Sequence, residues 1–140
     1  MEGVKSFLSR EQMQENSYWA IARMRGMDVQ ITKCDVGVQV VSDGVSFILY
    51  DLPEFFARHS DAVLLSEKLG GVLPPKEWLE FVYAHKDKIN DLLCNKITGG
   101  TFWCSTPSVE NCFYYFDWYK GVSLDSTFHA IGSVRVFSAV

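Results

Sequence analysis

Residues 69–90, LGGVLPPKEWLEFVYAHKDKIN, carry the reading that decides the fold. Gly70-Gly71 closes a helix expected over 61–69, which Ser60 or Asp61 would cap. Pro74-Pro75 then opens a second helix, since proline suits the first turn and little else in a helix. On a 3.6-residue wheel Trp78, Leu79, Phe81, Val82, Ile89, Leu92 and Leu93 share one arc, with Lys76, Glu80, Asp87 and Asp91 opposite. That pattern predicts a core-facing helix running through to Leu93. His85 sits in the middle of the arc with no carboxylate or cysteine at i+4 to share a metal, so it reads as a packed residue and not a ligand. His59 and His129 are isolated and make no catalytic pair.

Upstream the texture is different. From Met27 to Tyr50 the chain is rich in β-branched residues, and Ser42-Asp43-Gly44 separates VGVQVV from VSFILY. Asp-Gly takes positive φ readily, which predicts a hairpin of two antiparallel strands. Pro53 is expected to end this sheet, because proline cannot donate to a ladder. Further back, Ser9 and Gln12 form a capping pattern ahead of Met13, Tyr18, Ile21 and Met24, which fall loosely on one side before Gly26. Residues 1–26 therefore read as an N-terminal helical extension to a domain spanning 27–140.

Downstream, three stretches have strand texture: TFWCS (101–105), CFYYFDWY (112–119) and SVRVFSAV (133–140). Pro107 and its serine and threonine neighbours make a loop between the first two, and YKGVS turns out of the second. In a period-2 strand Tyr114, Phe116 and Trp118 share a face and should enter the core, leaving Phe113, Tyr115 and Asp117 partly exposed. Helix, strands, two helices and strands in that order predict an α+β domain.

The chain has 140 residues, 48% apolar, 21% charged and 14% aromatic, and a formal charge of −4. This is the composition of one globular domain with a full core. Its thirteen basic residues form no stripe, so nucleic acid is not an expected partner. The longest apolar runs, such as VSFILY, are far too short to span a membrane. The start MEGVKSFLSREQ lacks the pattern of a secretory signal, which points either to the cell interior or to a trimmed product at a cell or virion surface. Four cysteines, Cys34, Cys94, Cys104 and Cys112, lack the close pairs of a zinc ribbon. They read as free, mostly buried thiols, with a Cys104 to Cys112 bridge as the alternative.

Residues 69–90 resemble the helix pair of C-type-lectin-like domains, in which a short helix ends at a glycine turn, a Leu-Pro step follows, and a longer helix begins with an acidic-aromatic pair. GGTFWCST, FYYFDWYKGVS and VRVFSAV are similar, in that order, to later strands of the C-terminal domain of a collagen-like adhesin family. GVQVVSDGVSFILYDL resembles the strand pair that opens many such domains. The likeness extends distantly to formylglycine-generating-type domains. It departs at Val72, where those commonly carry arginine, at Pro75 for threonine, at Cys104 for serine and at Ser138 for a second terminal arginine. The resemblance implies two helices beside a small twisted antiparallel sheet, with the terminal strands together and a long loop region on one face.

By that resemblance the expected function is a non-enzymatic binding or adhesion module that presents a loop and strand face to a glycan or protein ligand. The candidate contacts are Tyr115, Asp117, Tyr119, Lys120 and Asp125, since aromatic rings beside charged groups suit such surfaces. No cofactor is expected, and the Glu-Pro-Asn and Trp-Asn-Asp motifs of calcium lectins are absent. Two alternatives stand beside it. One is a structural, homo-oligomeric subunit of a surface or phage virion assembly, docked through residues 1–26. The other is an oxidative enzyme of formylglycine-generating type using Cys104 and Cys112, although their neighbours Trp103, Phe113 and Glu110 are a poor setting for a reactive thiolate.

Overall fold

A computed structural model describes residues 29–108, 112–125 and 131–140. The helix expected over 9–26, and with it the proposed boundary at 26, lies outside them. Four strands come first: β1 (Gln30–Cys34), β2 (Gly37–Val41), β3 (Phe47–Tyr50) and β4 (Phe55–Arg58). Three helices follow, α1 (His59–Lys68), α2 (Lys76–Ala84) and α3 (Lys86–Leu92). The chain ends in β5 (Thr101–Pro107), β6 (Phe113–Asp117), β7 (Val122–Asp125), β8 (Ile131–Val134) and β9 (Phe137–Ala139). The domain is α+β, as its sequence order implies, but its described residues form three helices and two sheets where two helices beside one small sheet were expected.

The strands form two sheets, ordered β1-β2-β3-β9 and β4-β8-β5-β6-β7. All neighbours are antiparallel except β5 and β8. In the four-stranded sheet Ile31, Val38, Val40, Phe47, Leu49 and Phe137 point inward and are buried, while Gln30, Thr32 and Val41 stay exposed. This is the alternation a half-buried sheet requires. The main core joins that inner face to Leu79, Phe81, Val82 and Ile89 of α2 and α3, and to Phe102, Cys104 and Phe116 of the second sheet. Phe47 lies at its centre, with ring centroids 5.3 Å from Trp78, 5.8 Å from Phe81 and 5.4 Å from Phe137. A smaller cluster, Ala62, Leu73, Trp103 and Val134, packs α1 on the opposite face of the five-stranded sheet.

Several sequence expectations are corrected in detail. The 42–46 loop between β2 and β3 does not use a positive φ at Gly44; the described positive-φ glycines are Gly70, Gly100 and Gly121. Instead Ser42 Oγ accepts from the Val45 N–H at 3.0 Å, and Ser46 Oγ donates to the Ser42 carbonyl at 3.1 Å. Pro53 interrupts the strands only briefly, for β4 begins at Phe55 and joins the other sheet. Helix α1 starts at His59, with Arg58 as an extended N-cap and no side-chain cap, so neither Ser60 nor Asp61 fills that role. Gly70, at φ 83°, does close it.

The long helix expected through Leu93 is two. His85, at φ −113° and ψ 29°, ends α2 and precedes α3. Its N–H still reaches the Phe81 carbonyl at 3.1 Å and its carbonyl receives the Ile89 N–H at 3.0 Å. The apolar arc therefore survives the break. The histidine is half-buried at this joint, its ring 4.9 Å from that of Phe81. At the C-terminus one expected strand is also two: β8 belongs to the five-stranded sheet, and Arg135-Val136 carries the chain across to β9 beside β3. All four cysteines are free, and only Cys104 is fully buried; Cys34 and Cys112 are half-buried and Cys94 is exposed.

One contact fixes a residue choice in β8. The Trp103 indole crosses this strand to donate from Nε1 to the Ala57 carbonyl at 2.7 Å. A Cβ on Gly132 would lie 3.1 Å from that nitrogen and 3.2 Å from Cδ1. Gly132→Ala should therefore lower unfolding free energy by about 1–3 kcal/mol, as overpacking does in a filled core. Urea denaturation followed by tryptophan fluorescence measures the change.

Candidate functional site

The candidate residues meet, in part, at the turn between β6 and β7. Asp117 Oδ1 accepts from the backbone N–H of Tyr119 at 2.9 Å and of Lys120 at 3.2 Å. The Gly121 N–H closes the turn onto the Asp117 carbonyl at 2.7 Å. Aspartate is well suited to this position because its short side chain can satisfy amides two and three residues on. Gly121 is required twice over. Its φ is 72°, and a Cβ there would lie 2.6 Å from Cε2 of Tyr83.

Within this turn two aromatic side chains part company. Trp118 is buried, its N–H bonded to the Gly100 carbonyl at 2.9 Å and its ring 5.1 Å from Tyr83 in an edge contact. Tyr119 points outward and is 77% exposed. Its phenol end nevertheless lies against backbone, since a Cβ on Gly99 would come within 2.6 Å of the Tyr119 hydroxyl oxygen. A displayed ring thus stands on a braced turn, with its far end near the glycine loop. Lys120 is exposed beside it, and Lys86 Nζ lies 4.3 Å from the centroid of Tyr83, the ring that lines the same turn.

Tyr115 and Asp125 lie elsewhere. Tyr115 is half-buried on the α1 side of the sheet and packs on the Trp103 cluster. Asp125 is exposed at the far end of β7, opposite Tyr114, whereas Val122 pairs with Asp117 at the turn. Three residue steps along β7 separate the two ends, about 10 Å. The structure therefore unites Asp117, Tyr119 and Lys120, and adds Tyr83 and Lys86, which sequence reasoning missed. Their signal was present in part: the Asp117 to Gly121 spacing defines a turn, and its glycine leaves space for a ring, but nothing local says which one. The expected split of the β6 aromatics holds for Phe116 and Trp118 but not for Tyr114, which is half-buried like Tyr115. Phe116 and Trp118 are buried and Tyr114 packs on the main core, while Phe113, Tyr115 and Asp117 are half-buried.

The titratable groups beneath this surface are structural in their geometry. Burial pushes the Cys104 thiol far above the ordinary cysteine range, and the Glu80 and Glu77 carboxylates add to the effect against Lys76. His59 is buried, its ring stacked 3.7 Å from Phe113 and edge-on to Trp103 at 5.0 Å. Its Nε2 donates to the Cys104 carbonyl at 2.9 Å. Desolvation pulls its pKa below the usual histidine value, only partly opposed by that carbonyl. Among the described residues no three His, Cys, Asp or Glu side chains form a group that could hold a metal ion.

Compared with known proteins, the chain matches no family model, no curated protein sequence and no solved structure.

The His59 environment has a consequence for stability. Its pKa is lowered in the fold, so the unfolded chain binds the proton more readily and folding stability falls as pH drops below the unperturbed value of about 6.5. Stability from this source is fully present above that pH. Urea midpoints at pH 7.5 and 5.5 should diverge in the natural chain and converge in His59→Phe. An equal divergence in both would place the proton uptake at another group.

Proposed function

We propose that this chain is a non-enzymatic binding module of C-type-lectin-like architecture, which engages a glycan or protein ligand through the β6–β7 turn without calcium. The observation that carries the reading is Tyr119, a ring 77% exposed that stands on a backbone-braced turn with its phenol end near Gly99. An ordered aromatic side chain offers contact area with little further loss of conformational entropy on binding. Lys120 and Lys86 set positive charge beside it, in a chain whose formal net charge is −4. β9 pairs with β3 of the opening hairpin, but β1 and β9 form opposite edges of the four-stranded sheet, so the architecture departs from the resemblance in not setting the first and last strands side by side.

The placement of the two aspartates supports the calcium-independent reading. The Asp117 carboxylate is committed to turn amides, and Asp125 sits at the other end of β7, so the pair does not converge on one cation. The oxidative-enzyme alternative is disfavoured by the Cys104 thiol, which is 0% exposed and driven toward its protonated form.

A glycan array and an extract pull-down with the natural chain, each repeated with Tyr119→Ala, test the reading. Binding should fall roughly tenfold or more in the variant, as for loss of an aromatic anchor, with the melting temperature unchanged. Undiminished binding would move the ligand face off this turn. In the folded protein Cys104 should resist a thiol reagent that labels Cys94. Native labelling of Cys104 would restore the enzyme alternative.

A further inference from the structure

The opposite margin of the five-stranded sheet carries a second surface, independent of the ligand turn. Strand β4 is an edge: its one described neighbour is β8. Phe56 opposes Ser133, and Arg58 opposes Ile131, so these four side chains share a face. Glu54 joins them, since its Oε2 accepts from Ser133 Oγ at 2.8 Å. On this face Phe56 is 69% exposed and Ile131 65%. The other side of the strand is differently used, with Phe55 and Ala57 packed on the Trp103 cluster. An edge unpaired among the described residues, with a large exposed aromatic at its middle, is a template for another strand.

The order of charges around Phe56 selects the partner. Glu54 lies two residues before it and Arg58 two after. When two antiparallel copies of this segment pair about a twofold axis at Phe56, each Glu54 falls directly opposite the Arg58 of the other copy. The two Phe56 rings then meet on the axis, beside Ile131 of each chain. Shifting the register by two residues sets Glu54 or Arg58 opposite Phe56 instead, so the charges specify the same register as the rings. Cross-strand aromatic and opposite-charge pairs are the contacts that stabilise such a ladder. Pro53 limits its length on one side, and α1, beginning at His59, limits it on the other.

We propose that β4 is a homodimer interface, through which a second copy of this chain adds antiparallel across Phe56 to join two five-stranded sheets into one. The contact is isologous and closes at two chains. The alternative edge-to-edge contact, β4 of one copy on β7 of the next, does not close and lacks the reciprocal Glu54–Arg58 pairs.

Sedimentation equilibrium of the full chain should show a reversible monomer–dimer equilibrium. Phe56→Asp places two carboxylates on the axis and should weaken association by roughly tenfold or more. Arg58→Glu should weaken it similarly, while an equimolar mixture of the Arg58→Glu and Glu54→Arg chains should recover it, because opposite charges face each other again in the mixed dimer. Glu54→Arg also removes the Ser133 bond and replaces a carboxylate that supports buried Arg135 with a cation, so it has its own folding risk and a second measurement stands beside it. In a Cys94→Ser background, Phe56→Cys should oxidise to a covalent dimer and Thr32→Cys, on the other sheet, should not. A chain that remains monomeric at all concentrations would overturn the proposal. So would open assemblies larger than two, a dimer indifferent to Phe56→Asp, or one that disappears only on removal of residues 1–28.

Discussion

The two sheets depend on a buried guanidinium. Arg135 is 2% exposed and lies in the link that takes the chain from β8 in one sheet to β9 in the other. Its Nη2 donates to the Asn95 carbonyl at 2.9 Å. Asn95 in turn donates its N–H to Asp51 Oδ1 at 2.8 Å and its side-chain amide to the same oxygen at 3.0 Å, while the Cys94 N–H takes Oδ2 at 2.8 Å. Beside this link the Tyr50 N–H reaches the Val136 carbonyl at 2.9 Å. One connected network thus joins the end of β3, the segment after α3 and the crossing between sheets. Desolvation lowers the Arg135 pKa, and the Glu54 and Asp51 carboxylates oppose it. A buried charge held in this way is a weak source of net stability, yet removing one partner would leave the others stranded at a cost of several kcal/mol. Its Nε, buried without a hydrogen-bond partner, is part of the cost of placing the charge there.

With that crossing in place, the rest of the five-stranded sheet has both faces assigned. The α1 side takes Trp103, Val134 and Ala62, and the α2 side takes Phe102, Phe116 and Trp118. Little apolar area in the middle of the sheet remains for anything else. What remains is at the margins: the turn that ends β6, and the strand that begins the sheet at β4. Display follows from the same packing. Trp118 is drawn under the turn by Tyr83 and Gly100, and this leaves the next side chain, Tyr119, with nowhere to go but outward.

The sequence was legible wherever one local rule acted alone. Gly70 and Pro74-Pro75 bound their helices because a positive φ and a missing N–H are properties of single residues. Alternation along β6 sorted Phe116 from Tyr115 because both faces of that strand have fixed neighbours. Legibility failed where a tertiary partner overrode the pattern. No periodicity marks the break at His85, since the apolar arc continues across it. The crossing from β8 to β9 carries Arg135, bonded to Asn95 forty residues away in sequence, and β4 was not expected after Pro53 because its one described partner, β8, lies far along the chain. The candidate site divided for the same reason: Asp125 is close to Tyr119 in sequence, and a strand running away from the turn separates them. The expected face included the turn region, but which side chains the turn displays was decided by Gly99, Gly121 and Tyr83.

The two margins have a joint consequence. In the five-stranded sheet the β6–β7 turn lies three to four strands from β4, and neighbouring strands are about 4.8 Å apart. Joining two copies across β4 therefore sets their Tyr119 turns roughly 40 Å apart, one at each end of a single twisted sheet. Because the sheet is continuous, that separation is rigid and not set by a linker. Two weak sites at a fixed spacing gain strongly on a ligand that repeats at that spacing and gain nothing on an isolated epitope. A surface polymer or a dense array of identical proteins has such repeats. If the proposed turn binds and the proposed dimer forms, a contact of one aromatic ring and neighbouring lysines, too small to hold a partner firmly by itself, would become selective for dense surfaces through this geometry.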